Sequence, residues 1–489
     1  MRSGAEIYLI GIKGTGMCAL AELLHNRGIR VSGSDVADVF YTDAILKDLG
    51  IPYHESFDAS HITSPELVIY SAAYSAANAE VAEAERRDIA LCKYTDALGA
   101  YSADFDSSGI AGVHGKTTTT AITGTLLRGA GLPAAILAGS AVGAFGGRST
   151  LNLGDKYFVA ETCEYRRHFL SFHPKRIILT SVESDHQDYF PTYADIRQAF
   201  VEYGRLLPPD GELIYCADDH GASEVAALLK KEMPGVHFVP YGFSTDGDYR
   251  IESFQVKNER SVMRLRSFPG ELALRVPGRH TALNAAAAIA LTSSLVKAEF
   301  GGDGSDGWNE QRREGVRAAL EDFSGSRRRS EIVGEAAGIL FMDDYGHHPT
   351  AIKTTLAGLK DFYPKRRLVV SFMSHTYTRT AALLDEFATS FENADVLVLH
   401  KVYPSAREVY SGGVTGRTLF EKTCAVEKNS AGRFHYVEEP EDAAEFLSKI
   451  LQPNDLFITM GAGDNWRLGK KLCALFGKIN HQQKIGGCE

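Results

Sequence analysis

Short apolar runs alternate with amphipathic stretches over the first hundred residues. Ile7 to Ile10, Ile29 to Ser32 and Leu67 to Ser71 have the length and apolar character of buried strands, and Met17 to His25 has a helical pattern. Strands that alternate with helices are typical of a parallel α/β sheet. The pattern therefore predicts a first α/β domain, which we place at residues 1–104.

The same alternation begins again twice further along the chain. A second series starts at Gly109-Ile110-Ala111 and continues through Tyr157 to Ala160 and Arg176 to Thr180. A break near Ser324-Gly325-Ser326 precedes the third series. The strands of that third series are predicted at Ile339 to Met342, Leu368 to Phe372, Val396 to Leu399 and Leu456 to Met460. We therefore expect a central domain at residues 105–325 and a C-terminal domain at 326–489.

Composition agrees with several folded domains and limits the classes of partner. The 489 residues, 44% hydrophobic and 23% charged, exceed what one core normally holds. The net charge of -10 is spread without a basic stripe, which argues against a nucleic-acid partner. Seven cysteines lack metal-ligand spacing and suit a reducing compartment. With no leader pattern and no run of about 18 apolar residues, we expect a cytoplasmic protein without a membrane anchor.

The strongest chemical signal is the segment Gly112-Val113-His114-Gly115-Lys116-Thr117-Thr118, which we call the phosphate loop. It follows an apolar strand and opens a helical run that ends near Leu127. Glycines let backbone N-H groups approach phosphate oxygens, while Lys116 supplies a charge and Thr117 a hydroxyl for Mg2+. The sequence thus predicts ATP or GTP as ligand, although Ile110 stands where the general pattern has glycine. The alternative is a glycine turn before a buried helix.

Acidic residues follow two predicted strands near this loop. Glu161 ends the strand from Tyr157 and is followed by Glu164. The next strand leads into Glu183, Asp185, His186 and Asp188. Because α/β sheets build their sites at the carboxyl ends of strands, and because Mg2+ prefers hard oxygen ligands, the cluster predicts a magnesium site. Each residue taken singly could equally be a capping or turn residue.

A second glycine-rich segment, Gly11 to Gly16, lies between the first strand and the first helix, and we call it the first glycine loop. It is expected to hold a pyrophosphate, with Asp35 at the end of the second strand near a ribose. A dinucleotide such as NAD fits this pattern as well as a UDP-sugar does. An unliganded glycine turn is the third possibility.

Taken in order, these motifs resemble the Mur ligase family, and the resemblance covers nearly the whole chain. The run Asp343-Asp344-Tyr345-Gly346-His347-His348-Pro349 is specific to the branch that adds alanine and to a relative that adds a preformed tripeptide. The other matching segments are Gly11 to Met17, His114 to Thr119, Asp185-His186, Pro277 to His280 with Asn284, Arg328-Arg329, and His375 through Arg379.

The resemblance implies an α/β protein of three domains. These are an N-terminal Rossmann-like domain for a UDP-sugar, a central P-loop ATPase-type parallel sheet, and a C-terminal Rossmann-like domain for an amino acid. It also implies an ATP- and Mg2+-dependent ligase that joins UDP-N-acetylmuramate to L-alanine through an acyl phosphate, acting as a monomer or homodimer. A ligase that attaches a preformed tripeptide, and a non-catalytic nucleotide-sensing module, are the alternatives.

The resemblance assigns candidate residues to each ligand. ATP is expected at Gly112, His114, Gly115, Lys116, Thr117, Thr118, His280, Asn284 and Arg329. The UDP-sugar is expected at Gly11, Gly14, Thr15, Gly16, Asp35 and Ser71. The amino acid and neighbouring substrate atoms are expected at His347, His348, His375 and Arg379. The expected metal ligands are Thr117, Glu161 and His186, and the expected catalytic residues are Lys116, His348, Arg329 and Asp344.

The chain departs from the family pattern at several positions. Lys13 replaces a glycine, and it could either add charge to the diphosphate or point to solvent. The segment Glu161-Thr162-Cys163-Glu164 lacks the aspartate common in that motif, which moves a second carboxylate role to Glu164, and Thr376 replaces an arginine. No lysine occurs between Arg176 and Leu229, where sister ligases carry a carbamylated lysine. That absence favours the alanine-adding branch.

Overall fold

The protein contains three sheets in series, each flanked by helices. A computed structural model describes residues 3–302, 304–404, 408, 412–427 and 431–485. The predicted fold class, α/β with three successive sheets, is confirmed. Every strand proposed from the sequence is present, with ends that differ by no more than three residues.

The first sheet has five parallel strands in the order β3-β2-β1-β4-β5. Its elements are β1 (Glu6–Ile10), α1 (Thr15–Asn26), β2 (Arg30–Ser34), α2 (Thr42–Asp48), β3 (Tyr53–His54), β4 (Leu67–Tyr70), α3 (Ala79–Arg86), β5 (Leu91–Lys93) and α4 (Tyr94–Ala103). The strand order changes direction between β1 and β4, so the loops that follow these strands diverge and open a crevice. The first glycine loop lies at this crevice.

The central sheet has ten strands in the order β15-β14-β13-β12-β11-β10-β6-β9-β7-β8. Its elements are β6 (Asp106–Ala111), α5 (Lys116–Ala130), β7 (Ala134–Val142), β8 (Arg148–Asn152), β9 (Tyr157–Glu161), β10 (Arg176–Leu179), α6 (Tyr193–Gly204), β11 (Glu212–Cys216), α7 (His220–Glu232), β12 (His237–Gly242), β13 (Tyr249–Val256), β14 (Ser261–Leu265), β15 (Phe268–Leu274), α8 (Arg279–Phe300) and α9 (Glu310–Asp322).

The prediction of a parallel central sheet holds for its middle and fails at both ends. β8 pairs antiparallel with β7, and β13, β14 and β15 form an antiparallel meander. β14 alternates buried and exposed positions, which is the pattern of a strand with one solvated face. The sequence analysis looked for buried apolar runs, so it did not detect these half-exposed strands.

The third sheet has six strands in the order β16-β17-β21-β18-β19-β20, with β16 antiparallel to β17. Its elements are β16 (Glu331–Ala336), β17 (Ile339–Asp344), α10 (Pro349–Phe362), β18 (Arg367–Phe372), α11 (Tyr377–Ala382), α12 (Leu384–Ala388), β19 (Val396–Leu399), α13 (Gly416–Val426), β20 (Phe434–Tyr436), α14 (Ala443–Ile450), β21 (Asp455–Met460) and α15 (Trp466–Ile485). The segment between Asp322 and Glu331 therefore connects the second and third sheets.

Helix α8 is long and apolar enough to cross a membrane by length and composition alone. In the protein, however, 72% of its most apolar window is buried. Its alanine-rich middle packs in the same core cluster as α5 and the central strands. This is the environment of a core helix.

The first sheet is attached to the central one by a buried ionic contact. Glu22 of α1 is only 6% exposed, and its carboxylate accepts from the Arg148 guanidinium at 2.5 Å. The hydroxyl of Thr150 donates to the other Glu22 oxygen, and Asp48 pairs with the far side of Arg148. Because all the partners of Glu22 come from β8, this contact fixes α1 against the central sheet.

We expect Glu22→Gln to lower the free energy of unfolding by about 1–3 kcal/mol, because Arg148 and Thr150 would lose their charged acceptor. Urea unfolding followed by circular dichroism measures this change. The matched control is Glu6→Gln, which breaks an exposed pair with Arg30 at 2.7 Å. That change should stay within about 0.5 kcal/mol. Equal effects of the two substitutions would show that Glu22 carries no special role.

Candidate active site at the junction of the three sheets

The phosphate loop joins the end of β6 to the start of α5. Gly115 has a φ of +80°, and a Cβ at this position would lie 2.6 Å from Asn284 Oδ1 of α8. Any larger residue would therefore be strained and would displace Asn284. The threonines that follow are poor helix formers, but Thr120 and Thr123 bond back to carbonyls one turn earlier, at 2.9 and 2.7 Å.

Lys116 is held by the loop and by a buried carboxylate. Its ammonium donates to the Gly112 carbonyl and, at 2.8 Å, to Glu164 Oε2. The other Glu164 oxygen lies 3.3 Å from His186 Nε2. Burial alone would lower the pKa of Lys116, but the nearby acidic groups, with Glu164 the largest contributor, together outweigh it and the net shift is upward. Lys116 is thus a fixed cation at the mouth of the loop.

The donor groups beside Lys116 fit a hard divalent cation. Thr117, which carries the hydroxyl, is the second residue of α5. Glu161 is the last residue of β9, and Glu164 lies just beyond it. One hydroxyl and two carboxylates are the oxygen ligands that Mg2+ prefers. Glu161 is fixed from behind, because its Oε2 accepts from the Gly139 amide at 2.7 Å. The predicted ligand His186 contacts Glu164 and not Glu161. Glu164 therefore lies between Lys116 and His186.

A cavity of about 360 Å³ opens beside the phosphate loop, and we call it the nucleotide cavity. Seven predicted residues line it: His114, Gly115, Thr118, His280, Asn284, Arg329 and Asp344. Gly112, Lys116 and Thr117 belong to the adjoining loop. Burial lowers the pKa of His280 to about 4, so this imidazole is neutral near pH 7.

Several lining residues of the nucleotide cavity were not predicted. They include Thr180, Ser181, Asp218, Asp219, Tyr241, Thr350 and Thr354. Asp218 and Asp219 come directly after β11, which is the same strand-end signal that selected Glu161. They could have been found in that way. Tyr241 and the α10 threonines carry no comparable signal in the sequence.

The third sheet contributes to the nucleotide cavity through the start of α10. Thr350 donates to Glu183 Oε2 at 2.9 Å, and His114 pairs with the other oxygen of the same carboxylate. Burial alone would raise the pKa of Glu183, but His114, His348 and Thr350 together outweigh it and the net shift is downward. Glu183 therefore links the phosphate loop to α10.

His348 performs a structural task at the same junction. Its Nδ1 accepts from the Thr350 amide at 3.3 Å as the N-cap of α10, and its Nε2 lies 3.2 Å from the Ser184 carbonyl. An imidazole that accepts at Nδ1 carries its proton at Nε2, so the ring donates to Ser184. Burial, with the nearby His114, lowers the pKa of His348 and keeps it neutral.

Asp344 and Arg329 approach the cavity from the connection between the sheets. Asp344 ends β17 and accepts from the amides of Ser330 and Gly346, both at 2.7 Å. The Arg329 guanidinium lies 5.1 Å from the Tyr345 ring centroid. Asp344 thus holds the connecting turn in the position that places Arg329 at the nucleotide cavity.

The remaining predicted substrate residues gather around Asp185. Arg379 is 5% exposed and binds Asp185 Oδ1 through Nε and Nη2, each at 2.8 Å. Its Nη1 lies 3.2 Å from the His375 carbonyl, and the rings of His347 and His375 are 6.1 Å apart. Although burial opposes it, the Arg379 charge holds the pKa of Asp185 well below its usual range.

Both imidazoles of this group are neutral. Burial, together with the charge of Arg379, lowers the pKa of His375 to about 4 and places that of His347 well below its ordinary value. Neutral imidazoles can accept a proton. The group therefore combines one buried cation with two neutral imidazoles.

The first glycine loop lies at the end of β1 and shares a cavity of about 180 Å³ with the central sheet. Thr15 and Gly16 line this cavity together with Glu161 and Cys163. A Cβ on Gly16 would lie 3.0 Å from the Tyr94 ring, so a larger residue would intrude on it. Gly11 is buried and Gly14 exposed in the same loop.

Two other predicted contacts of the UDP-sugar are positioned differently. Asp35 is 5% exposed and already accepts from the amides of Lys13 and Val36, at 2.7 and 2.8 Å. Ser71 is half-buried at the end of β4 and begins a turn that the Tyr74 amide closes. Asp35 therefore shapes the loop, and a ribose contact would require it to exchange partners.

Of the two expectations for Lys13, a side chain that points to solvent was wrong, because the side chain is 1% exposed. An added charge beside a diphosphate stays a prediction. The Lys13 ammonium donates to the carbonyls of Val36 and Asp38 at 3.0 and 3.2 Å and pairs with Asp43 and Glu55 at 3.2 and 3.1 Å. Lys13 replaces a glycine and fastens the loop that follows β2.

Comparison with known proteins agrees with this arrangement. Three family profiles match consecutive parts of the chain: the Mur ligase family catalytic domain at residues 6–106, the Mur ligase middle domain at 110–292, and the Mur ligase glutamate ligase domain at 328–463. The chain belongs to the Mur ligase family.

This Mur ligase is similar to curated relatives over nearly its whole length. UDP-N-acetylmuramate--L-alanine ligase of Treponema pallidum is 52% identical over 476 residues, covering 97% of each chain. The enzyme of the same name from Borreliella afzelii is 36% identical over 470 residues, covering 95% of this chain and 97% of the relative. Among solved structures, UDP-N-acetylmuramate-alanine ligase of Thermotoga maritima matches with a TM-score of 0.72 and 25% identity, over 98% of this chain and 99% of that one.

We expect Lys116→Ala to abolish product formation by this Mur ligase and also to lower its stability. The second effect arises because Glu164, 2% exposed, would stay buried without its ammonium partner, at a cost of about 1–3 kcal/mol. Turnover assays and thermal unfolding measure the two effects separately.

The double variant Lys116→Ala with Glu164→Gln separates these roles. A neutral amide needs no counter-charge, so most of the lost stability should return while turnover stays absent. Recovery of activity in the double variant would contradict the assignment of Lys116 to phosphate transfer.

Proposed function

We propose that this Mur ligase joins the lactyl carboxylate of UDP-N-acetylmuramate to L-alanine with ATP, in the synthesis of peptidoglycan precursors in the cytoplasm. One observation carries the proposal. One cavity is lined both by Thr15 and Gly16 of the first glycine loop and by Glu161 and Cys163, and Cys163 precedes Glu164 of the Lys116–Glu164 pair. A UDP-sugar on the first sheet would therefore extend toward the phosphate loop.

The chemistry needs an activated carboxylate, because an amine cannot expel hydroxide from a carboxylic acid. In the proposed reaction the carboxylate attacks the γ-phosphate of ATP and forms an acyl phosphate, and the alanine amine then displaces phosphate. Lys116 offsets the charge that develops on the transferred phosphoryl group. Mg2+, held by Thr117, Glu161 and Glu164, would supply further positive charge at the same oxygens.

Alanine is proposed to bind near Asp185 and Arg379, where its amine must lose a proton before it attacks. His348 is a poor acceptor because backbone groups engage both of its ring nitrogens. His375 accepts from the Arg379 guanidinium at Nδ1, over 3.4 Å, so its Nε2 carries the ring proton. Burial and the charge of Arg379 also lower its pKa to about 4, which makes it a weak base. We therefore assign His375 to orient the amine and not to accept its proton.

The two alternatives are less well supported. A ligase for preformed tripeptide would share the fold, but the curated relatives with 52% and 36% identity are named for L-alanine. A nucleotide sensor without turnover would not need Lys116, Glu164 and His186 to stay in mutual contact. Both remain outcomes of the test below.

The function is tested with UDP-N-acetylmuramate, ATP and Mg2+, and with L-alanine, glycine, L-serine or the tripeptide offered in turn. We expect one ADP released for each amide bond formed, with L-alanine giving the highest kcat/KM in mass-detected product. Product with the tripeptide alone would favour the recycling ligase. ATP binding without any product would favour the sensor.

Closure of the third domain is a further expectation, because Lys116 and Glu161 lie on the central sheet whereas Asp344 and Arg379 lie on the third. An open site would expose the acyl phosphate to water. Small-angle scattering should show a smaller radius of gyration with a non-hydrolysable ATP analogue and UDP-N-acetylmuramate than without them. Arg329→Ala should weaken this compaction. Arg264→Ala, at an exposed position of β14, should leave it unchanged. Identical profiles with and without ligands, at full activity, would argue against closure.

A further inference from the structure

Three consecutive arginines connect the central and third sheets, and each side chain reaches a different part of the molecule. Arg328 donates to Asp343 at 2.9 Å and to the Gly461 carbonyl at 2.6 Å, both in the third domain. Arg329 lines the nucleotide cavity. Arg327 extends toward the first domain, where its guanidinium carbon lies 4.8 Å from the Tyr41 ring centroid.

The backbone of this turn explains why the three side chains diverge. Arg328 and Ser330 have φ values of +60° and +47°, which L-residues rarely adopt. The Arg328 amide donates to Glu331 and the Ser330 amide to Asp344, at 2.8 and 2.7 Å. These bonds hold the turn in its unusual conformation, so successive side chains do not simply alternate between two faces.

Arg327 is fixed at its backbone and presents its charge to two aromatic rings. Its amide donates to the Ala141 carbonyl at 2.8 Å, at the end of β7. Its guanidinium carbon lies 4.8 Å from the ring centroid of Tyr41 in the first domain and 6.0 Å from that of Trp466 in the third. Within the described part of the chain it pairs with no carboxylate. The cation therefore lies between a ring of the first domain and a ring of the third domain, while its backbone is anchored to the central domain.

Each of the two rings belongs to a residue that is connected by a contact or a short turn to a segment assigned to substrate binding. The Tyr41 hydroxyl donates to Thr15 Oγ1 at 3.2 Å, and Thr15 is the first residue of α1 after the first glycine loop. Trp466 is the first residue of α15, and the turn before it begins at Gly461, whose amide donates to the Asp344 carbonyl at 3.1 Å. The series Thr15, Tyr41, Arg327 and Trp466 thus connects the first domain to the third. We call this series the three-domain clasp.

We propose that Arg327 is a positioning residue that couples occupancy of the first glycine loop to the placement of the third domain. The proposal rests on the function proposed above, because it takes the UDP-sugar as the ligand of that loop. A ligand that orders Thr15 and Tyr41 stabilises the ring against which Arg327 packs, and Arg327 in turn favours the position of Trp466 seen here. Two cation–π contacts of ordinary strength shift such an equilibrium by about three- to tenfold.

Trp466 provides a direct readout of this coupling. The chain has two tryptophans, and Trp308 packs against Phe268 in the central domain. In a Trp308→Phe background, the emission of Trp466 reports only on its own surroundings. We expect UDP-N-acetylmuramate alone, without ATP, to change this emission, and Arg327→Gln to remove the change. Calorimetry on the same variants should show a UDP-sugar Kd that changes by less than about threefold.

Kinetics and matched variants distinguish coupling from a merely structural role. Arg327→Gln should raise KM for L-alanine by about three- to tenfold at saturating UDP-sugar, and Arg327→Lys should restore part of that loss because it retains a cation. The control is Arg417→Gln, which removes a guanidinium 4.5 Å from the Tyr436 ring centroid within the third domain alone. It should change neither the emission nor KM.

Tyr41→Leu tests the clasp from its other end, and it serves if the Arg327 variants unfold. It should abolish the emission change as Arg327→Gln does. An unaltered Trp466 response in both variants, with UDP-sugar still bound by calorimetry, would overturn the proposal. Absence of UDP-sugar binding to the parent protein would instead overturn the proposed function, so the two failures are distinguishable.

Discussion

The ion pair between Lys116 and Glu164 is the contact on which the rest of the site depends. Glu164 is buried, so its charge must be matched, and it is matched by Lys116 on one oxygen and approached by His186 on the other. Asp185, the neighbour of His186 in the chain, is bound in turn by Arg379 of the third domain. A series of charged and polar side chains therefore extends from the phosphate loop across the junction, and each buried charge in it has a partner in place.

Much of this site could be predicted because parallel strands end at one edge of a sheet. Glu161 and Asp185 were selected as residues at or after strand ends, whereas Asp344 was selected from the family resemblance, and the structure places all three around neighbouring cavities and contacts. The same reasoning applied to β11 would have found Asp218 and Asp219. Neither the strand-end signal nor the family resemblance, which selected His348, gives the direction of a side chain, so the capping of α10 by His348 was not foreseen.

Other features of the structure have no signature in local sequence. The antiparallel strands β13 to β15 alternate in burial and lack a continuous apolar run, so a search for buried strands passed over them. The direction of Arg327 depends on two positive φ angles in the following residues, held by Glu331 and Asp344 from further along the chain. Such conformations are decided by tertiary hydrogen bonds, which a single sequence does not display.

Lys13 has a thermodynamic consequence for ligand recognition. In place of a flexible glycine, the chain has a lysine whose ammonium holds the loop after β2 through two carbonyls and two carboxylates. Fixing a loop residue ordinarily costs about 1–2 kcal/mol of conformational entropy. Here that ordering occurs during folding and not when the ligand arrives, so a ligand of the first domain meets a surface that is already rigid. The ordering of this loop is then not subtracted from the free energy of binding, which leaves only the ligand's own loss of freedom to oppose its contacts.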